Sequence, residues 1–405
     1  MLHRGADVIH NIAEFLMVIS GIAALTCIVC LVIHVGYEHS PQGFETISRI
    51  LRAMQWIFGA NVIFGLTFNL AETLKKNRWL KWTVDIALLV SLLPVIYPRP
   101  IHPWIPWLES VLYSPVFLNT VLVAYSIVTL SYAVFRMVDR RTNPSLLLSM
   151  SFLVFIILGT FLLMLPKSTV GGIDFIDAFF VSTSAVCVTG LTTVDVPTTF
   201  TPLGLAILAM LIQFGALGVM TFTSFFALFF SGSASIYSQL ILRDVIYSRS
   251  MNSLIPTLLY IMAFTIGVEI FGALLIFASV HGTLDMDIEQ EIVFATFHSL
   301  SAFCNAGFSN LPGGMSNPLL LHHNISIYWI MTMLIIAGSI GFPILVNTKD
   351  AFVSYIRGFR NRLHGKRMKI RAVHQFNMNT KIVLFTFMLL FVAGTVLFFV
   401  LEYSN

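Results

Sequence analysis

The chain has 405 residues, of which 57% are hydrophobic and only 10% charged, with a formal net charge of +4. Soluble domains carry about 25% charged residues, so this composition excludes a soluble enzyme and points to a membrane protein. The net charge says little by itself; its placement along the chain says more.

Apolar windows long enough to cross a bilayer as helix are predicted at 11–36, 50–72, 83–97, 111–135, 146–165, 201–230, 254–280, 324–346 and 382–401. The expected fold class is therefore an all-α polytopic membrane protein. The first run, Ile12–Val35, is longer than the apolar part of a signal peptide, and no small-x-small cleavage pattern follows it, so it reads as a retained helix. Windows one to four make a bundle over 1–145. Its stretch from Glu72 through Lys75 and Lys76 to Trp82 and Asp85 bears a faint likeness to the second and third helices of voltage-sensor bundles. The fourth window has no arginine ladder, only Arg136 at its end, whereas a sensor must move several charges through the field. The bundle reads as scaffold or modulator.

Beyond residue 145 the chain repeats itself. Ala178 to Leu191 reads AFFVSTSAVCVTGL and Ala295 to Phe308 reads ATFHSLSAFCNAGF, an ungapped match at an offset of 117 residues with seven of fourteen positions identical. Each segment lies between two apolar stretches and ends at a glycine, Gly190 or Gly307. Irregular backbone at membrane depth persists only where it is buried in protein or lines a wet cavity, so the repeat predicts a re-entrant hairpin used twice. Each unit reads as helix, short helix, extended loop, helix. The short helices are expected at about 174–185 and 290–303, with Asp174 as an N-cap and Asp177 in the first turn.

A helix that dips halfway turns its negative end toward the membrane centre, which favours a cation there. The loops Val188-Thr189-Gly190-Leu191 and Asn305-Ala306-Gly307-Phe308 then follow. Consecutive carbonyls that replace an ion's water shell need alternating backbone senses, which glycine tolerates. These eight residues are the candidate ion-binding backbone. The second helices also correspond: Gly215-Ala216-Leu217-Gly218 matches Gly338-Ser339-Ile340-Gly341 at an offset of 123, and small residues three apart permit close helix packing.

With the N-terminus placed in the cytoplasm, the inside connections carry Lys75, Lys76, Arg78 and Lys81, then Arg136, Arg140 and Arg141, then Arg243 and Arg249. The longest, Lys349 to Lys381, holds nine basic residues against one acid, Asp350. The outside connections carry Glu38, Glu45, Glu109, Asp174, Asp177, Asp195, Asp285, Asp287, Glu289 and Glu291. This obeys the positive-inside rule, and an acidic rim would concentrate cations, although solvated loops carry such acids too.

The four cysteines suggest no disulfide framework. Cys27 and Cys30 form a CxxC inside an apolar helix, where packing is the simpler role. Cys187 and Cys304 occupy equivalent repeat positions and read as soft packing residues. No histidines are spaced as metal ligands; His322 and His323 read as exposed loop. No Walker-type loop, phosphorylatable aspartate context or catalytic triad is visible, so no enzyme is expected.

The runs STSAVCVTGLTTVD and IQFGALGVMTF, then FHSLSAFCNAGFSNLP and GSIGFPIL, resemble the first and second repeats of the Trk/Ktr/HKT-type potassium transporters, over about residues 146–401. Glu269, in VEIFGALL, stands where that family's second-repeat outer helix often carries an acid, and is a candidate for loop support. The resemblance implies four such units around one pore and potassium as the transported ion, with Gly190 and Gly307 in the filter and no organic cofactor. It also implies a plasma-membrane homodimer with a cytosolic ring of nucleotide-binding regulatory subunits and no nucleic acid. Arg357–Arg371 would suit contact with such subunits or with anionic lipid.

The sequence departs from the pattern in stopping at Asn405, after the first helix of a third unit, which points to a fragment or to a second chain completing the pore. It also departs in Ala216, where glycine is common, and in its long lead. The expected domains are the bundle 1–145, a first unit 146–235, a second unit 236–346, a basic cytoplasmic connection 347–381 and a third-unit helix 382–405. A non-conducting sensor or regulatory scaffold with a degenerate pore, and a sodium-permeable member of the same family, are the alternatives.

Overall fold

The computed structural model describes residues 2–38, 40–68, 79–97, 110–138, 144–218, 254–284, 286–341, 344 and 378–403. Every long element among them is an α-helix, and the extended backbone pairs only at the isolated bridge between Thr169 and Phe200. Among the described residues, four helices contain windows long and apolar enough to cross a membrane: Val18–Gly36, Pro41–Thr67, Leu259–Val280 and Thr380–Glu402. Shorter apolar helices accompany them. The chain is an all-α polytopic membrane protein. It divides into two compact units, Met1–Met262 with Ala306–Asn317, and Ala263–Asn305 with Pro318–Asn405.

The first unit opens with a bundle of α1 (Leu2–Gly36), α2 (Pro41–Phe68), α3 (Trp79–Ser91), the single turn α4 (Leu93–Ile96) and α5 (Pro115–Val138). Ala23, Ala24, Cys27 and Leu31 of α1 pack with Leu51, Phe58 and Val62 of α2, Leu88 of α3 and Leu122 and Tyr125 of α5. In lipid such association rests on van der Waals packing and interhelical hydrogen bonds rather than on escape from water, and small residues on α1 let its neighbours come close. Two amide side chains inside the bundle find partners on neighbouring helices. Gln55 donates to Ser91 Oγ at 3.0 Å, and Asn61 donates to the Tyr125 hydroxyl at 3.3 Å. Both sulfurs of the CxxC are buried in this packing. Asp85 is buried here as well, while Glu72, Lys75 and Lys76 lie outside the described residues.

The next helix is α6 (Pro144–Leu163), and in the segment just after it the Lys167 amide donates to the Gly36 carbonyl at the end of α1 at 3.1 Å. The short helix α7 (Phe175–Val186), the turn α8 (Val196–Thr199) and α9 (Pro202–Leu217) follow. Proline at the first position suits α9, because its missing N–H would be unpaired there anyway. Thr201 caps it by accepting from the Gly204 amide at 3.3 Å. The predicted window 201–230 overran this helix: α9 ends at Leu217, and Gly218 follows with φ +74°. Left-handed glycine after a helix satisfies its last carbonyls. Hydropathy misses this stop because the sequence stays apolar past it; residues 219–230 lie outside the described set.

The second unit contains α10 (Leu254–Val280) from Ala263 onward, α11 (Ile288–Phe303), α12 (Pro318–His323), α13 (Ile325–Ser339) and α14 (Met378–Glu402). His322 and His323 belong to α12, not to a loop. Asn324 caps α13, accepting from the Ile327 amide at 3.3 Å, and also accepts from Ser279 of α10 at 2.8 Å. The basic connection expected from 347 lies outside the described residues as far as 377.

Candidate functional site

The short helices α7 and α11 end alike. Cys187 and Cys304 follow them, the Cys187 amide donating to Thr183 O at 2.8 Å and the Cys304 amide to Leu300 O at 2.9 Å. One residue further, Val188 (φ +54°) and Asn305 (φ +58°) turn left-handed; two further still, Gly190 (φ +81°) and Gly307 (φ +75°) do so again. The first turn closes each helix with a Schellman-type bond, Val188 N to Ala185 O at 3.2 Å and Asn305 N to Ala302 O at 3.1 Å. Sequence reasoning anticipated the glycines but not the left-handed Val188 and Asn305. Asparagine is tolerant there and could have been a signal. Valine is a steric outlier, and nothing in the sequence announces it.

The two loops approach at their glycines. A Cβ on Gly190 would overlap the Ala306 carbonyl oxygen and sit 3.0 Å from the Gly307 Cα; a Cβ on Gly307 would sit 3.5 Å from the Gly190 Cα. Around them, Thr189 and Leu191 are exposed, Val188 is half-buried, and Ala306 and Phe308 are buried. Each loop also begins at the negative end of a helix, which favours positive charge nearby.

Three contacts hold each short helix in place, and they recur. Ser182 of α7 donates to Ile156 O on α6 at 2.8 Å; Ser299 of α11 donates to Glu269 O on α10 at 2.7 Å. Gly159 of α6 abuts Ser182 and Leu211, and Gly272 of α10 abuts Ser299 and Leu334, with no room for a Cβ at either. Gly215 of α9 lies against the Val186 carbonyl and Gly338 of α13 against the Phe303 carbonyl, again too close for a side chain. The offset is 113 residues on the first helices, 117 on the short helices and 123 on the third. The serines were visible as identical positions, but their hydrogen bonds to the preceding helix were not.

The two sites differ in their side chains. Cys304 is buried and its thiol donates to the Glu269 carboxylate at 3.7 Å; Cys187 is exposed, and Ile156 stands where Glu269 does. Ser339 donates to the Asn305 side-chain oxygen at 3.2 Å. Glu269 also lines a cavity of about 470 Å³ otherwise walled mostly by apolar side chains of α10 and α11, among them Ile270, Phe277 and Ile292.

At the other end of α11, beyond the last turn of α10, the buried Glu291 carboxylate meets the His281 ring nitrogen at 2.7 Å and accepts from the Gly282 amide at 3.1 Å. The His281 ring, then the Gly282 amide, hold this carboxyl below the usual carboxylate range against the opposing effect of burial. Asp174 occupies the N-cap position of α7 but makes no capping bond with its side chain, whereas the Asp287 amide donates to the Gln290 side chain at 3.3 Å in the first turn of α11. No group of three or more His, Cys, Asp or Glu capable of holding a metal ion occurs among the described residues.

Comparison with known proteins gives the family. The family model described as TrkH, cation transport protein, matches residues 113–404. The Ktr system potassium uptake protein B of Bacillus subtilis (strain 168) is 30% identical over 265 residues, 65% of this chain and 54% of that one. The potassium/sodium uptake protein NtpJ of Enterococcus hirae is 30% identical over 269 residues, 66% of this chain and 54% of its own. The Ktr system potassium uptake protein B of Vibrio alginolyticus is 31% identical over 267 residues, 65% and 53% of the two chains. The chain spans about half the length of the curated relatives it matches. Matched over more than half of its residues by that family model, the chain belongs to the TrkH family of cation transport proteins.

Proposed function

We propose that the chain takes potassium up across the plasma membrane through a path lined by the backbone of Val188, Thr189, Gly190, Leu191, Asn305, Ala306, Gly307 and Phe308. The observation that carries this reading is the pair of loops with matching left-handed positions, meeting at Gly190 and Gly307. Carbonyl rings select ions by replacing their water shell, and two such strands are part of one ring. Glu269 supports the second strand through Cys304. The first hairpin unit spans 146–235 and the second 236–346, with 1–145 as an attached bundle.

The positive-inside pattern supports a cytoplasmic N-terminus. The family resemblance supports a homodimer that docks a cytosolic nucleotide-binding regulatory subunit against Arg357–Arg371. The test is growth on limiting potassium, and rubidium uptake, in cells lacking their own potassium uptake. The native chain restores both and Gly190→Arg abolishes both; uptake indifferent to Gly190 and Gly307 overturns the reading. A relative named for potassium/sodium uptake favours sodium passage as the second reading. Sodium uptake of the same size as rubidium uptake would establish it.

A further inference from the structure

We infer that Asn305 and Ser339 form a clamp that sets how well the second loop discriminates potassium from sodium, a role that rests on the pore reading above. Three consecutive residues at the end of α11 are each held from behind. The Phe303 carbonyl lies against Gly338, the Cys304 thiol reaches Glu269, and the Asn305 amide meets Ser339. The Ser339 hydroxyl has a single proton, shared between Asn305 Oδ1 at 3.2 Å and Ile335 O at 2.7 Å, and this forked bond fixes its rotamer on α13. The Asn305 amide nitrogen would lie 2.9 Å from a Cβ on Gly338, so the side chain is laid flat across the last turn of that helix.

The first hairpin keeps only the steric part of this arrangement. Val186 lies against Gly215 as Phe303 lies against Gly338. The positions equivalent to Glu269, Asn305 and Ser339 are Ile156, Val188 and Ala216, whose side chains cannot hydrogen-bond. Both polar tethers therefore belong to the second loop alone. Asn305 is also the residue whose left-handed φ sets the direction of the strand running on to Gly307. A strand held by side chains keeps its carbonyls at one spacing; a strand held only at its helix can follow a smaller ion inward. Discrimination by carbonyl spacing thus depends on the clamp more than on the first loop.

The experiment is rubidium uptake by the full chain in cells lacking potassium uptake, with sodium as competitor. A single hydrogen bond corresponds to about a fivefold change in an equilibrium. Ser339→Ala is expected to lower the rubidium-over-sodium preference about fivefold while total cation uptake persists, and Ser339→Thr, which keeps the hydroxyl, to restore it. Membrane levels of each variant are measured alongside, so a folding loss is seen separately. An unchanged preference in Ser339→Ala, with native uptake intact, overturns the clamp and leaves the pore reading standing. No uptake by the native chain overturns the pore reading, and the clamp with it.

Discussion

Gly190 and Gly307 lie back to back, and the contact is unequal: a side chain on Gly190 meets the Ala306 carbonyl oxygen, whereas one on Gly307 meets only the Gly190 Cα at 3.5 Å. Both positions have positive φ, so alanine costs about 1–2 kcal/mol at either from backbone strain alone. Gly190→Ala adds an overlap with backbone that cannot swing away. Rubidium uptake and the thermal midpoint should both fall further in Gly190→Ala than in Gly307→Ala. The reverse order would mean that the loops do not meet in this way.

Val188 and Asn305 share one backbone conformation and differ in their fitness for it. Val188→Asn is expected to raise stability by about 1 kcal/mol and Asn305→Val to lower it by a similar amount, as left-handed strain is relieved or introduced. Thermal unfolding in detergent reads both. Two changes of the same sign would refute the strain argument.

Gly215 and Gly338 press on the last carbonyls of the short helices. Alanine at either should cost about 1–3 kcal/mol by overpacking and lower the yield of folded protein from membranes. Gly171, beside which a Cβ meets nothing within 4 Å, is the control: Gly171→Ala should leave yield unchanged. Equal yields for all three would argue against the close approach.

Glu291 gives the fold a pH dependence of definite sign. Its carboxyl is held low by His281 and the Gly282 amide, so its folded-state pKa lies below the unfolded-state value. Such a group stabilises the fold above the ordinary carboxylate pKa of about 4.3. That contribution is lost as pH falls through the lower folded-state value. Thermal midpoints measured from pH 6 to pH 3 should drop less steeply in Glu291→Gln than in the native chain. Parallel curves would show that the ion pair contributes nothing.

The helices were legible because membrane crossings are written in long apolar runs, and the loops because the chain spells them twice. Gly190 and Gly307 stood out by sharing a register, as did Ser182 and Ser299, though the carbonyls those serines reach are set by how each short helix packs on the helix before it. The end of α9 at Leu217 was hidden because composition does not change at Gly218. Val188 was hidden for a different reason. Its left-handed backbone is imposed by helix closure and loop approach, against the preference of its own side chain, and no local pattern records a conformation that the rest of the fold enforces.

The shift from 113 to 117 to 123 residues between equivalent contacts shows where the two hairpins have drifted apart. The second has four more residues before its short helix and six more after it, and neither addition displaces a serine or a glycine at the contacts. The connectors therefore act as spacers of free length between fixed anchor points. An epitope or fluorophore tag spliced near Gly313 and Gly314, within the longer spacer, would give a surface handle that leaves the anchors where they are.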